Sequence, residues 1–248
     1  MNAAFLRADW SAPAMVRAGC SLRGGGRSEA PYASLNLGAH VGDDPAAVAA
    51  NRALLRTALQ LPAEPYWLQQ VHGIAVADAD ANALAGPADA AVTRTGTRPL
   101  AILVADCMPV LLASADGAVL GAAHAGWRGL SSGVLEATVR AMRVGPQAIH
   151  AWLGPAIGAE QFEVGAEVRA AFMAHDVRDG VAFTANARGR WQCDLQWLAR
   201  ARLTALGVRQ IATAGLCTYS DAARCYSYRR DGRTGRMVAL LWRAGTVA

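Results

Sequence analysis

LAILVADCMPVLLASADGAVLGAAHAGWRGL, Leu100 to Leu130, holds the pattern from which the fold is read. Two apolar runs, PVLLAS and AVLGAAH, flank Ala115-Asp116-Gly117, and an Asp-Gly signal between such runs predicts a β-hairpin. If Ala115 and Asp116 form the loop, Cys107 stands opposite His124; if Asp116 and Gly117 form it, His124 is the diagonal neighbour. Either register puts both side chains on one face, with Cβ atoms about 5 Å apart for a directly opposed pair. Pro109 marks a bulge or an edge position, and a one-residue slip there would part them. AGWRGL follows, a strand-to-helix junction of the kind where anion-binding amides gather.

Outward from the hairpin, caps announce the helices. Asp43-Asp44-Pro45 precedes AAVAANRALLRTALQL, with Val48, Leu55 and Leu59 on one face. Ser131-Ser132 opens a helix to about Met142, another covers Gly165 to Met173, and Asp194 caps LQWLARARLTAL. Strands are read at PYWLQQVH, IAVAD, DAAVT, LAILVA, PVLLAS, AVLGAAH, AIHAWLG, IATAGLC and YSYRR with MVALLW. No repeat or linker divides the 248 residues, so one α/β or α+β layered domain with a mixed sheet is expected over 1–248.

Composition narrows the function classes. All 24 basic residues are arginine, which removes Schiff-base, pyridoxal phosphate and P-loop lysine chemistry. Five cysteines, widely spaced and never in a C-x-x-C pair, argue against a disulfide framework and a zinc finger. With no apolar run of membrane-spanning length and no secretory signal pattern at the start, the expectation is a soluble cytoplasmic protein with no membrane partner. The glycines of Arg23-Gly24-Gly25-Gly26-Arg27 lack phosphate-loop spacing and read as a turn.

A thiol and an imidazole on one face have three readings: a nucleophile with its base, two ligands of one metal, or a buried thiol beside a structural histidine. His72, at the end of YWLQQVHG, adds a third donor from another strand. Three ligands with an open fourth position describe a catalytic rather than a structural zinc site. His40, His150 and His175 read as structural.

Together, SLNLGAHVGDDPAAVAANR, WLQQVHG, ADAAVT, ADCMPVLL, HAGWRGL, GPAIGAEQFEVG and SYRRDGRTGRM resemble the YfiH family, also called the laccase-domain or polyphenol-oxidase-like family, over nearly the whole chain. The resemblance implies an α-β-β-α sandwich-like domain with mixed sheets and a zinc site at His72, Cys107 and His124. It also implies phosphorolysis of adenosine, inosine and S-methyl-5′-thioadenosine, together with adenosine deamination. Cys225-Tyr226 departs from an aromatic pair frequent in the family and bears on pocket shape. The family's older name implies a multicopper oxidase, but five histidines and no H-x-H pair are too few imidazoles for one. Copper(II) is an alternative occupant of the zinc site.

For deamination, zinc would acidify a water toward a pKa of ~7, with Asp106 the nearest carboxylate in sequence. In a regular strand Asp106 points away from Cys107, so it is expected to organise backbone or the hydrogen bonds behind the ligands. Arg128, Arg229 and Arg230 are the candidate phosphate donors, with Asn36 and Gln70 as neutral partners of ribose or base. Two other classes compete: a Cys107–His124 amidase acting on peptidoglycan precursors that carry misincorporated L-Ser, and a non-catalytic arginine-rich binding module. Six arginines fall between Arg224 and Arg243, but without interleaved aromatics the segment does not read as a nucleic-acid surface.

Overall fold

The protein is described here from a computed structural model that covers residues 4–81, 86–96 and 98–244. In chain order its strands are β1 (Phe5–Arg7), β2 (Val16–Ser21), β3 (Tyr66–Trp67), β4 (Val76–Asp78), β5 (Ala90–Thr93), β6 (Leu100–Val104) and β7 (Met108–Ser114). They continue as β8 (Leu120–Ala125), β9 (Ile149–Leu153), β10 (Glu163–Val164), β11 (Phe183–Ala185), β12 (Trp191–Cys193), β13 (Gln210–Thr213) and β14 (Met237–Arg243). The α-helices are α1 (Pro45–Leu59), α2 (Trp127–Ser132), α3 (Val134–Met142), α4 (Ala166–Met173), α5 (Leu195–Leu206) and α6 (Tyr228–Asp231).

Two large sheets stack. One runs β1-β2-β14-β6-β3 and the other β13-β9-β7-β8-β5-β4, with β10-β12-β11 a small third sheet. Both large sheets are mixed, since β3/β6, β4/β5 and β9/β13 are parallel pairs among antiparallel ones.

Alternation along β7 shows how the layers arise. Leu111 and Ala113 face Ile102, Val104, Trp152 and Ala239 in the core between the sheets. Val110 and Leu112 face Leu130, Val134, Leu198 and Leu203 of the helices. A strand covered on both faces needs apolar residues at every position, which is why PVLLAS reads as one continuous run. On the far side, Leu55 of α1 packs with Leu103, Val238 and Leu240. The order is therefore helix, sheet, sheet, helix, as the resemblance implied.

Asp44 caps α1 by accepting from Ala46 N, and Asp194 caps α5 by accepting from Trp197 N. Three elements differ from the sequence reading. Ser131-Ser132 close α2 rather than open a helix; the chain breaks at Gly133, φ 101°, and α3 starts after it. YSYRR is no strand: Ser227 accepts from Arg230 N and starts the single turn α6. PYWLQQVH is strand only at Tyr66–Trp67, because the loop beyond is captured by side-chain bonds described below. Cys225 and Tyr226 are fully buried in the core between the sheets, so the departure from the family's aromatic pair falls in packing rather than on a pocket wall.

Candidate metal centre

The stretch LAILVADCMPVLLA is two strands in two different sheets. β6 ends at Val104 in the five-stranded sheet, β7 begins at Met108 in the six-stranded one, and residues 105–107 carry the chain across. Asp106 adopts φ 90° in this crossover, a left-handed conformation uncommon outside glycine. Its carboxylate explains how it is held: Oδ1 accepts from Thr218 Oγ1 at 2.6 Å and Oδ2 from Arg229 N at 2.7 Å. Asp106 thus ties the crossover to α6 and to the loop after β13.

The β7/β8 register pairs Pro109 with His124 and Met108 with Ala125, so Asp116 and Gly117 form the hairpin loop and Cys107 is the diagonal neighbour of His124. Extending that register by one same-face pair sets Cys107 against Gly126. A Cβ on Gly126 would lie 2.8 Å from Cys107 Sγ and 3.2 Å from His72 Cδ2, so only glycine leaves room for both.

His72 comes from the loop after β3, with φ 63°. A fully buried carboxylate shapes this loop. Asp89 accepts from Val71 N at 3.0 Å, His72 N at 2.9 Å and Gly73 N at 2.6 Å, and its Oδ1 also lies 2.8 Å from His124 Nδ1. An ionised carboxylate only accepts, so Nδ1 of His124 carries a proton and Nε2 is the ring nitrogen that would ligate a metal. Burial works against the Asp89 charge, but the bonds from His124, Gly73 and Val71 outweigh it and hold the pKa below the usual carboxylate value.

Ligand atoms of His72, Cys107 and His124 all lie within 4.8 Å of one another, with Cys107 Sγ 3.8 Å from His72 Nε2 and the two imidazole rings 4.8 Å apart between centroids. Tetrahedral donors about 2.0–2.3 Å from a zinc ion stand roughly 3.3–3.8 Å apart, so small side-chain shifts would bring all three donors into range. Two imidazoles and a thiol suit zinc or copper. Burial would raise the Cys107 thiol, yet the charges and hydrogen bonds of His124 and His72 bring it down to about 6. Reciprocally, Cys107 and Asp89 hold His124 up to about 9 against burial. Without a metal, a thiolate stands against an imidazolium, and a metal would take the place of the proton on the ligating nitrogen of His124.

The chain as a whole matches a known family. The family described as multi-copper polyphenol oxidoreductase laccase matches residues 17–244. The chain belongs to this family. It is 50% identical over 243 residues, 98% of this chain and 99% of the relative, to purine nucleoside phosphorylase PA4543 of Pseudomonas aeruginosa. It is 47% identical to purine nucleoside phosphorylase YfiH of Escherichia coli, covering 94% and 96% of the two chains. Among solved structures it is similar to protein NMB0706 of Neisseria meningitidis, with TM-score 0.92, 45% identity, and 97% and 99% of the chains covered. YlmD of Geobacillus stearothermophilus superposes with TM-score 0.87 at 32% identity, covering 93% and 92%.

Within this member of the family, the other residues singled out from sequence occupy distinct positions. Asn36 is fully buried: its Oδ1 accepts from Gly38 N and Arg236 N, while Nδ2 donates to Gly38 O and Asp43 Oδ2. Both amide atoms of Gln70 bond the backbone of Leu103, extending the sheet past the end of β3. The Asn36 amide has no donor or acceptor to spare for a ribose or base, whereas Gln70 keeps one N–H beyond its bonds to Leu103. Arg230 donates to Thr218 O, Tyr219 O, Cys225 O and the Asp231 carboxylate, which makes it a clamp on α6 rather than a phosphate donor. Arg229 reaches Glu163 O through Nη1, and exposed Arg128 lies over the Trp127 ring at 4.4 Å. Asp89 escaped the sequence reading. Its one signal is a lone carboxylate at the head of the buried run DAAVT, where burial demands several partners.

Proposed function

We propose that the protein is a zinc-dependent purine nucleoside enzyme that splits adenosine, inosine and S-methyl-5′-thioadenosine with phosphate, and also deaminates adenosine. The reading extends over residues 1–248 as one catalytic domain. It is supported above all by the juxtaposition of His72, Cys107 and His124, in a chain whose relatives at 47% and 50% identity are named purine nucleoside phosphorylases. Copper is the alternative occupant. Five histidines in the whole chain are too few for the several copper centres that the family's name implies.

His72, Cys107 and His124 would hold the ion, and bound there it supplies Lewis acidity to a substrate oxygen or nitrogen. Asp89 keeps His124 in the tautomer that offers Nε2 and sets the backbone of His72, so two of three donors are aligned before any ligand arrives. In phosphorolysis a phosphate oxygen bonds to C1′ as the C1′–N9 bond breaks; the base leaves with the electron pair and takes up a proton. Cationic side chains beside the donors must therefore align phosphate, and the rigid crossover at Asp106 keeps the thiolate in place.

The test is to quantify bound metal and follow adenosine and inosine by chromatography with and without phosphate. Base release should require phosphate and be lost in His72→Ala and in Cys107→Ala. Full activity after chelation would overturn the reading. The depressed Cys107 pKa also fits a thiolate nucleophile paired with His124 in an amidase. Trapping Cys107 covalently with an analogue of a seryl-peptide substrate would favour that second reading.

A further inference from the structure

We infer that Arg236, outside the residues above, is the oxyanion-binding cation of this site and takes the inorganic phosphate of the proposed reaction. The inference rests on the phosphorylase reading for the identity of the anion, and on geometry for its place.

Met237 pairs with Val104 in the β14/β6 ladder, so Arg236 stands one residue further, beside the crossover that bears Asp106 and Cys107. Its backbone is fixed from two directions: N donates to buried Asn36 Oδ1 at 2.8 Å, and O accepts from Leu37 N at 3.1 Å. Its stem lies on Gly38, where a Cβ would come within 2.7 Å of Arg236 Cγ. Asn36 and Gly38 are therefore positioning residues for this arginine.

The guanidinium is charged but not paired. Among the described residues Arg236 makes no ion pair; Nη1 donates to Thr234 O and Gly235 O, and Cζ lies 5.8 Å from the exposed Tyr228 ring of α6. Arg230, on the same turn as Tyr228, spends all its N–H groups on protein acceptors, and Arg229 is drawn toward β10 by its bond to Glu163 O. Arg236 is half-buried, which lowers its pKa. Partial burial, Arg236 and Arg52 together keep the pKa of His40 below its ordinary value, another sign of positive potential at this edge. A half-buried cation with N–H groups to spare, on the strand beside the crossover that bears Cys107, is a place for a doubly charged oxyanion, which a guanidinium fork recognises by paired N–H···O bonds.

Inorganic phosphate is the probe, used on the metal-loaded protein at constant ionic strength. Calorimetry without nucleoside should give a phosphate Kd at least tenfold weaker in Arg236→Gln than in the unaltered chain. The phosphate KM should rise in step, with the nucleoside KM within threefold. A folded Arg236→Gln protein with unchanged phosphate Kd overturns the inference. If that variant does not fold, the Arg236 Nε–Hε resonance of the unaltered protein, assigned by its loss in Arg236→Lys, is titrated instead; a phosphate-dependent shift supports the assignment and its absence refutes it. Arg236-dependent binding without base release would sustain the anion site and remove the phosphorylase reading. Phosphate-dependent base release with an unchanged phosphate KM in Arg236→Gln would do the reverse.

Discussion

Asp89 Oδ1 lies 2.8 Å from His124 Nδ1, and the same carboxylate receives the backbone N–H groups of Val71, His72 and Gly73. One buried side chain thus aligns donors from two distant segments. Asp89→Asn puts an amide N–H₂ where only acceptors fit, and metal affinity should fall by about 10–100-fold, read by competition with a chromophoric chelator. Asp89→Ala should also lower unfolding free energy, by about 1–3 kcal/mol for each buried donor left unpaired. Unchanged affinity in both variants would show that the histidines align without it.

Gly126 is the contact point of the two ligand-bearing segments. Because a Cβ there meets Cys107 Sγ at 2.8 Å, Gly126→Ala should displace the thiol and cost most of the bound metal while the far-ultraviolet circular dichroism is kept. Normal metal content per chain would contradict this.

The metal-free site has a defined pH signature. Cys107 is depressed to about 6 from 9.0, so its contribution to stability is complete above 9.0 and lost as pH falls through about 6. His124 is raised from 6.5 to about 9, so its contribution is complete below 6.5 and lost as pH rises through about 9. The thiolate and imidazolium therefore coexist from about pH 6 to about 9. Cys217 is the competing thiol, since Gly158 N and Ser220 Oγ both point at its sulfur and its pKa is also lowered. In a Cys217→Ser background, alkylation by iodoacetamide should rise with a midpoint near pH 6 and be suppressed by stoichiometric zinc. A midpoint near 9 would mean that the histidines do not stabilise the thiolate.

Asp106 faces Thr218 and the Arg229 amide, which assigns it to architecture. Asp106→Asn should lower the melting temperature by several degrees but leave deamination and base release within about threefold, because a shuttling carboxylate typically contributes about 10²–10⁴-fold. A loss of a hundredfold or more at unchanged metal content would instead make it a proton carrier.

Much of this molecule is written locally. Hairpin signals around Asp116, caps at Asp44 and Asp194, and the unbroken apolar runs of doubly covered strands act over a few residues, and the layers follow from burying those faces. The approach of Cys107 to His124 belongs to the same class, since a hairpin's register depends on its turn. Other features depend on segments distant in the chain. Asp89 meets His124 across 35 residues, Asp106 meets Arg229 across 123, and Asn36 meets Arg236 across 200. A buried polar side chain must find partners wherever folding places them, and no periodicity records where that is. For that reason sequence alone marked the three metal-ligand candidates, whereas only the tertiary structure separated Arg230, whose N–H groups are all taken by protein acceptors, from Arg236, which stands beside the crossover without an ion-pair partner among the described residues.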